Sequence, residues 1–200
     1  MTKNVNTSIF WNNKYINDDY KWDVGYVTPL FVDIEKKLKR KSCILFPGCG
    51  LGHDALYFAS KNHYVDALDF SEYAINHLIK KSQEANIEVK TIQCDFFSLD
   101  SCYFNKYDYI IEYTFFCAID PTRRLQYVQK CCQLLKKGGM LKGIFLPLDI
   151  NTCNNPPYQV TINDIEEIFC DFFDIIVIET NINSIPRRLK NEFYIEMIKK

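Results

Sequence analysis

Three glycines stand at alternate positions in Gly48-Cys49-Gly50-Leu51-Gly52, directly after an apolar run that ends at Pro47, and a helix-like pattern, "HDALYFA", follows at once. Strand, glycine turn and helix in that order can seat a nucleotide. Glycine lets the backbone approach a ligand closely, and the first turn of a helix offers free N–H groups. Alone, the turn equally fits a tight structural turn. About 20 positions further on, Asp69 ends a second apolar run, "YVDALD", where an acidic side chain accepts hydrogen bonds from ribose hydroxyls. The other use of Asp69, as a helix N-cap, is already served by Ser71. A third segment ends in "QCDFF". There Asp95 can accept from an adenine amino group while Phe96 packs on the ring; a turn aspartate beside core phenylalanines is the alternative. His53 stands where a dinucleotide fingerprint has its third, helix-packing glycine, and it reads as the start of a helix. Together these features point to an adenosyl group without a pyrophosphate, and so to S-adenosylmethionine as cofactor.

The rest of the chain must position those residues. Its 200 residues suit one domain, 1–200, in which 1–40 stand apart as an N-terminal segment. That segment carries many aromatics and turn residues without strand alternation; a helix over 7–17, a loop, and a helix over 28–39 opened by Thr28-Pro29 are expected. Thereafter "CILF", "YVDALD", "VKTIQCD", "YDYIIEY", "GMLKGIFLPL", "FDIIVIET" and "NEFYIEMIKK" read as strands. "DALYFASK", "SEYAINHLIKKSQEA", "PTRRLQYVQKCCQLLKK" and "TINDIEEIFCDF" read as helices, the third opened by Pro121 and closed by Gly138-Gly139. Strands that are near-continuously apolar and alternate with helices imply an α/β fold. Its sheet should be mainly parallel, with helices on both faces. Only turn-rich "NINSIPRRLK" joins the last two strands, so an antiparallel last strand is expected there.

Composition excludes several function classes. Net charge is −1, with 48% apolar and 24% charged residues, so bulk charge holds neither nucleic acid nor a membrane surface. The tracts "EKKLKRK" and "IKK" are short and read as solvated helix ends. Nine cysteines, odd in number and without a C-x-x-C pair, imply reduced thiols in a cytoplasmic protein. Three histidines lack metal-ligand spacing, so no metal is expected. The N-terminus has no apolar core of a signal peptide, and Glu112 breaks the longest candidate for a membrane span. "NTCNNPP" reads as a loop, and there is no internal repeat.

Further motifs are more specific than the glycine turn. They are the spaced Trp11, Tyr15, Trp22, Asp23, Gly25, Thr28 and Pro29, then "PGCGLGHD", "LDFSEYA", "EYTFFCAIDPTRR", "LLKKGG", and "PPYQV" followed by "IPRR". On these the chain resembles the thiopurine S-methyltransferase family over nearly its whole length, closest to its halide and thiol methyltransferase branch. The resemblance implies a Rossmann-like class I methyltransferase with a seven-stranded sheet and an N-terminal helical lid. It implies that Trp11, Tyr15 and Trp22 cover the adenosyl group and methyl donor; the family often has Trp where Tyr15 stands. It further implies cofactor contacts at Gly48, Gly50, Gly52, Asp69, Phe70, Asp95, Phe96 and Tyr113. Without it, Tyr113, Phe115 and Phe116 read as buried core, and Trp11 and Trp22 as core anchors.

The reaction implied is an in-line displacement in which a soft nucleophile takes the sulfonium methyl, with the protein supplying orientation and electrostatics. An anionic nucleophile, such as hydrosulfide, a thiolate, thiocyanate or a halide, needs no strong general base at neutral pH, but must be stripped of water and held. Aromatic walls suit that task, and Trp22, Phe115 and Tyr158 are the candidates. Tyr158, in "NPPYQV", resembles the family's substrate-side tyrosine, with Pro156 and Pro157 fixing it; a loop tyrosine packed for stability is the alternative. Arg124 lies where thiopurine enzymes carry a substrate-side arginine and can attract anions. Arg123 and Arg124 equally read as surface residues at a helix N-terminus, although positive charge there is unfavourable. A monomer acting on a small thiol or anion is the expectation, with neither nucleic acid nor membrane as partner. Methylation of larger aromatic thiols, and a non-catalytic S-adenosylmethionine-binding module, are the other readings.

Overall fold

The structure, a computed structural model, describes residues 4–148 and 155–200. They fall into two compact units, Met1–Leu99 and Asp100–Lys200. The first unit opens with α1 (Ser8–Ile16) and α2 (Pro29–Glu35). It continues as β1 (Cys43–Pro47), α3 (His53–Ser60), β2 (Tyr64–Asp69), α4 (Glu72–Ala85) and β3 (Lys90–Gln93). These strands are parallel, with Pro47 opposite Leu68 and Asp69 opposite Gln93. That register brings the carboxyl ends of β1 and β2 level, so the glycine turn and Asp69 leave the sheet side by side. Ile44, Leu45, Phe46, Val65, Ala67 and Leu68 are buried, as strands without a solvated face require.

The second unit comprises β4 (Tyr107–Tyr113), α5 (Arg124–Leu134), β5 (Leu135–Phe145), α6 (Ile162–Phe169), β6 (Phe173–Glu179) and β7 (Phe193–Lys199). Strands β4 and β5 are parallel, and β7 runs antiparallel to both β5 and β6, as the short connection before it implied. Phe116, Tyr127, Phe145 and Phe169 form an edge-to-face aromatic core with ring centroids 5.2–6.4 Å apart, an arrangement the ring quadrupoles favour. The first unit's strands are ordered β3-β2-β1 and the second's β4-β5-β7-β6, seven strands of mixed direction in all.

Two expected boundaries move. Helix α5 does not run to Gly138-Gly139. It follows a 3₁₀ turn (Pro121–Arg123) and stops at Leu134. Leu135 already pairs with Tyr107 and Met140 with Tyr109, so Lys136 to Gly139 bulge opposite Asp108. Gly138 has φ +73°, and a Cβ on Gly139 would lie 3.0 Å from the Lys136 carbonyl and 3.1 Å from that of Tyr107. The two glycines serve a strand bulge, not a helix cap. Helix α2 stops at Glu35, because Lys37 and Leu38 bond three residues back, to Ile34 and Glu35, which tightens the last turn.

The cysteines among the described residues are free thiols, and no described helix is long and apolar enough to cross a membrane. Of the expected loop "NTCNNPP", residues 151–154 lie outside the described residues.

Candidate functional site

In the first unit the glycine turn is built for close approach. Gly48, Gly50 and Gly52 have φ of +58°, +54° and +82°, conformations that cost a side-chain-bearing residue energy. A Cβ on Gly50 would sit 3.1 Å from the Tyr15 hydroxyl, and one on Gly52 only 2.4 Å from Leu78 of α4. Gly52 therefore does the helix-packing work that a dinucleotide fingerprint gives to a glycine one position later. Three N–H groups of the turn are engaged inside the protein: Cys49 donates to Leu68 O, Gly50 to Asp69 Oδ2 and Gly52 to Cys49 O. Fewer remain for a pyrophosphate, in keeping with an adenosyl site.

Asp69 is buried and accepts from Gly50 N–H at 3.0 Å and from Ser71 N–H at 2.9 Å. Burial pushes its carboxyl up to about 6, against the backbone hydrogen bonds, which lower it. A carboxylate offers about four lone-pair sites, so Asp69 keeps acceptor capacity beyond its backbone donors Gly50, Phe70 and Ser71. Ser71 accepts from Ala74 N–H and caps α4, as expected. Phe70 lies half-buried between Asp69 and Ser71. Asp95 caps the 3₁₀ turn Phe96–Ser98 by accepting from Phe97 N–H, and Phe96 is buried.

Aromatic side chains of the N-terminal segment gather beside the turn. Tyr15, Leu51 and Ala74 form a buried cluster against which Tyr20 and Trp22 pack. Trp22 meets Trp11 and Tyr15 edge-on at 5.4 and 5.5 Å, and Tyr15 stacks on Tyr73 at 5.4 Å. The Trp11 indole N–H donates to Val5 O. Burial, and then the negative charge of Asp69, hold the Tyr15 hydroxyl above its ordinary pKa. Trp11, Tyr15, Trp22, the glycines and Asp69 are thus brought together; Tyr20 joins them without a motif to announce it, and Tyr73 comes from "LDFSEYA". Nearby, Thr28 donates from N–H and hydroxyl to Asp54 at 2.7 and 2.9 Å, and His53 Nε2 lies 3.3 Å from Asp23.

In the second unit the chain turns sharply after β4, with Thr114 at φ +63°. Glu112 organises that turn from inside. Its carboxylate is buried and accepts from Phe115 N–H at 2.9 Å, Phe116 N–H at 2.8 Å and the Tyr127 hydroxyl at 2.6 Å. Past the turn, Cys117 O accepts from Tyr158 N–H at 2.7 Å. Arg124 is buried, not on the surface. Its guanidinium donates to Gln159 O at 2.8 Å and Tyr158 O at 3.4 Å, and lies 5.0 Å from the centre of the Phe116 ring. This is why a cation is tolerated at that helix N-terminus. Tyr158 is buried, and burial followed by the charge of Asp120 raises its hydroxyl pKa. Tyr113 donates to Glu192 Oε1 at 2.8 Å beneath Arg188, whose guanidinium is 5.0 Å from the ring centre. Glu192 also accepts from Ser184 and lies 3.4 Å from Arg188. The Glu192–Arg188 pair went unseen in the sequence; the signal was a charged pair at i, i+4 just before an apolar strand. No group of metal-binding side chains occurs among the described residues.

Solved structures place the fold. A 1,6-didemethyltoxoflavin-N1-methyltransferase of Burkholderia thailandensis, with bound 1,6-didemethyltoxoflavin and S-adenosylhomocysteine, superposes with a TM-score of 0.76 at 17% identity, covering 96% of this chain and 86% of that one. The fold is that of the S-adenosylmethionine-dependent methyltransferases. The sequence narrows it: residues 6–194 match the model of the thiopurine S-methyltransferase family, and the chain belongs to that family. It is 31% identical over 188 residues to a probable thiol methyltransferase 2 of Arabidopsis thaliana, covering 92% of this chain and 82% of that protein. It is likewise 31% identical over 187 residues to a thiocyanate methyltransferase 1 of the same plant, covering 91% and 81%.

Proposed function

We propose that this chain transfers a methyl group from S-adenosylmethionine to a small thiol or soft anion such as hydrosulfide, methanethiol, thiocyanate or a halide. The observation that carries the reading is the similarity to the plant thiol and thiocyanate methyltransferases over nine-tenths of the chain. The residues of the first unit fit the cofactor. Glycines at 48, 50 and 52 keep Cβ atoms out of the turn, Asp69 keeps acceptor capacity for a ribose, and aromatic faces at Trp11, Tyr15 and Trp22 suit a sulfonium, as cation–π attraction requires. When bound, S-adenosylmethionine supplies the electrophilic methyl. In this reading Asp95, Phe96, Phe70 and Tyr113 complete its contacts.

The chain's own work is binding, orientation and exclusion of water. Tyr158 is the candidate to orient the nucleophile, its backbone held by Cys117 O and Arg124. Arg124 serves as a positioning residue, since its guanidinium is engaged by the two carbonyls of the segment that carries Tyr158. An anionic nucleophile needs no histidine or lysine as a base; for a protonated thiol such as methanethiol, the Tyr158 phenol is the group that would assist proton removal.

The test is a panel of iodide, thiocyanate, hydrosulfide, methanethiol and a bulky aromatic thiol, following S-adenosylhomocysteine release together with volatile methylated products. Turnover with the small nucleophiles is expected. Turnover confined to the aromatic thiol would move the assignment to larger substrates. S-adenosylmethionine binding without product from any of them sinks the enzymatic reading.

A further inference from the structure

The N-terminal segment is tied to the two helices that frame the glycine turn and Asp69. One tie is at Asn12 of α1. Its side-chain oxygen accepts from the Ser71 hydroxyl at 2.6 Å and from Tyr73 N–H at 3.3 Å, at the first turn of α4. Tyr15, one helical turn along the same face, stacks on Tyr73 with its ring planes 6° apart and brings its hydroxyl against Gly50. The other tie is at Thr28, which is 3% exposed and donates twice to Asp54 in the first turn of α3. Between them, Asp23 approaches His53 at 3.3 Å, at the first residue of the same helix. Residues 12 to 28 thus form a strap pinned at both ends, and its pins are buried or half-buried polar groups with defined partners.

We infer that Asn12 and the Thr28–Asp54 pair are positioning residues that hold this aromatic strap over the adenosyl site and so set cofactor affinity without touching the cofactor. The inference rests on the cofactor reading above. Its physical basis is that Tyr15 and Trp22 belong to a short, turn-rich segment that cannot hold its own conformation; helices this short are marginal without tertiary contacts. Fixing both ends removes the ordering cost that binding would otherwise carry. Breaking an end strands a polar partner, an Asp54 oxygen at one end or the Ser71 hydroxyl and Tyr73 N–H at the other, and returns that cost.

The chain's two tryptophans, Trp11 beside the first pin and Trp22 within the strap, report on it directly. The experiment measures acrylamide quenching of their fluorescence in cofactor-free protein, the S-adenosylhomocysteine dissociation constant, and KM against kcat, in the full chain. Thr28→Val removes one hydroxyl at constant shape and Thr28→Ser restores it. Asn12→Leu removes the acceptor, and Asn12→Asp restores it at a helix N-terminus that favours negative charge. Thr28→Val and Asn12→Leu should each raise quenching and weaken S-adenosylhomocysteine binding roughly tenfold, with KM for the cofactor rising and kcat little changed. Thr28→Ser and Asn12→Asp should recover both. Unchanged quenching and affinity in Thr28→Val and Asn12→Leu, or raised quenching with unchanged affinity, overturns the inference. If Thr28→Val fails to fold, Asn12→Leu decides alone. Wild-type protein that binds no S-adenosylhomocysteine overturns the cofactor reading instead, and the quenching comparison still decides whether the ties hold the strap.

Discussion

Replacing Glu112 by glutamine should remove a block of pH-dependent stability while preserving the turn that Glu112 holds. The carboxylate is 1% exposed and accepts from two backbone N–H groups and the Tyr127 hydroxyl. Burial raises its pKa from 4.5 to about 7, and the three hydrogen bonds oppose that rise without cancelling it. A carboxyl with a higher pKa in the folded than in the unfolded chain contributes stability that is fully present below the unfolded value. It loses that stability as pH rises through the folded value. At about 1.4 kcal/mol per pKa unit, the loss between about pH 4.5 and pH 7 is on the order of 3 kcal/mol, a large share of the ~5–15 kcal/mol that holds a domain folded. Glutamine can copy the geometry: its carbonyl accepts from Phe115 and Phe116, and its amide donates to the Tyr127 oxygen, which changes from donor to acceptor. It has no proton to lose as pH rises.

Asp54 and Asp69, each raised to about 6 by burial, titrate in the same window. The wild-type curve alone therefore does not isolate Glu112, but the difference between the two proteins does. Urea unfolding from about pH 5 to about pH 8 should show Glu112→Gln gaining on wild type by about 3 kcal/mol as pH rises. Parallel curves would mean that Glu112 is not a desolvated charge, and the account of the turn would fall with it. Glu112→Ala should be worse at every pH, because it strands three buried donors at about 1–3 kcal/mol each.

Asp69→Asn places an amide NH₂ against either the Gly50 or the Ser71 N–H, donor facing donor. It should cost about 1–3 kcal/mol in thermal or urea unfolding and weaken S-adenosylhomocysteine binding about tenfold or more by calorimetry; unchanged affinity would take Asp69 out of the cofactor site. Tyr158→Phe should lower turnover or change the order of preferred nucleophiles while leaving S-adenosylhomocysteine affinity nearly intact, and kinetics equal to wild type with every nucleophile would leave the phenol without a role.

Apolar runs and stripes, with turn and cap residues at their ends, are enough to locate the seven strands and six α-helices of the described residues, though not the 3₁₀ turns between them. Boundaries failed where tertiary contact outweighed local signal. "KKGG" after an amphipathic helix has the look of a C-terminal cap, yet pairing of Leu135 with Tyr107 begins the strand before the glycines. Local chemistry could not reveal this, since a positive φ serves a bulge and a helix end alike. The β6–β7 hairpin was legible for the opposite reason: the connection is too irregular to supply a crossover helix, and only an antiparallel return remains.

For the site, spacing located the glycine turn, Asp69 and the aromatic segment, because these depend on short-range geometry. It could not show that Asn12 meets Ser71 or that Thr28 meets Asp54, contacts that join distant stretches of chain. Periodicity gives the face of a helix but not the face it meets. Two of the buried charges of the second unit, Glu112 and Arg124, are open to a sharper reading. Glu112 breaks an apolar strand, and Arg124 stands at a helix N-terminus, where its charge is unfavourable. A charge in either place is retained only if the fold supplies partners, since an unpaired buried charge costs more than most domains can tolerate. In both cases most of the hydrogen-bond partners are backbone groups. Glu112 collects the N–H groups of the turn after β4, and Arg124 collects the carbonyls of Tyr158 and Gln159. The misplaced charges therefore marked the two segments whose backbone must be held still, and Tyr158, the candidate substrate residue, lies on one of them.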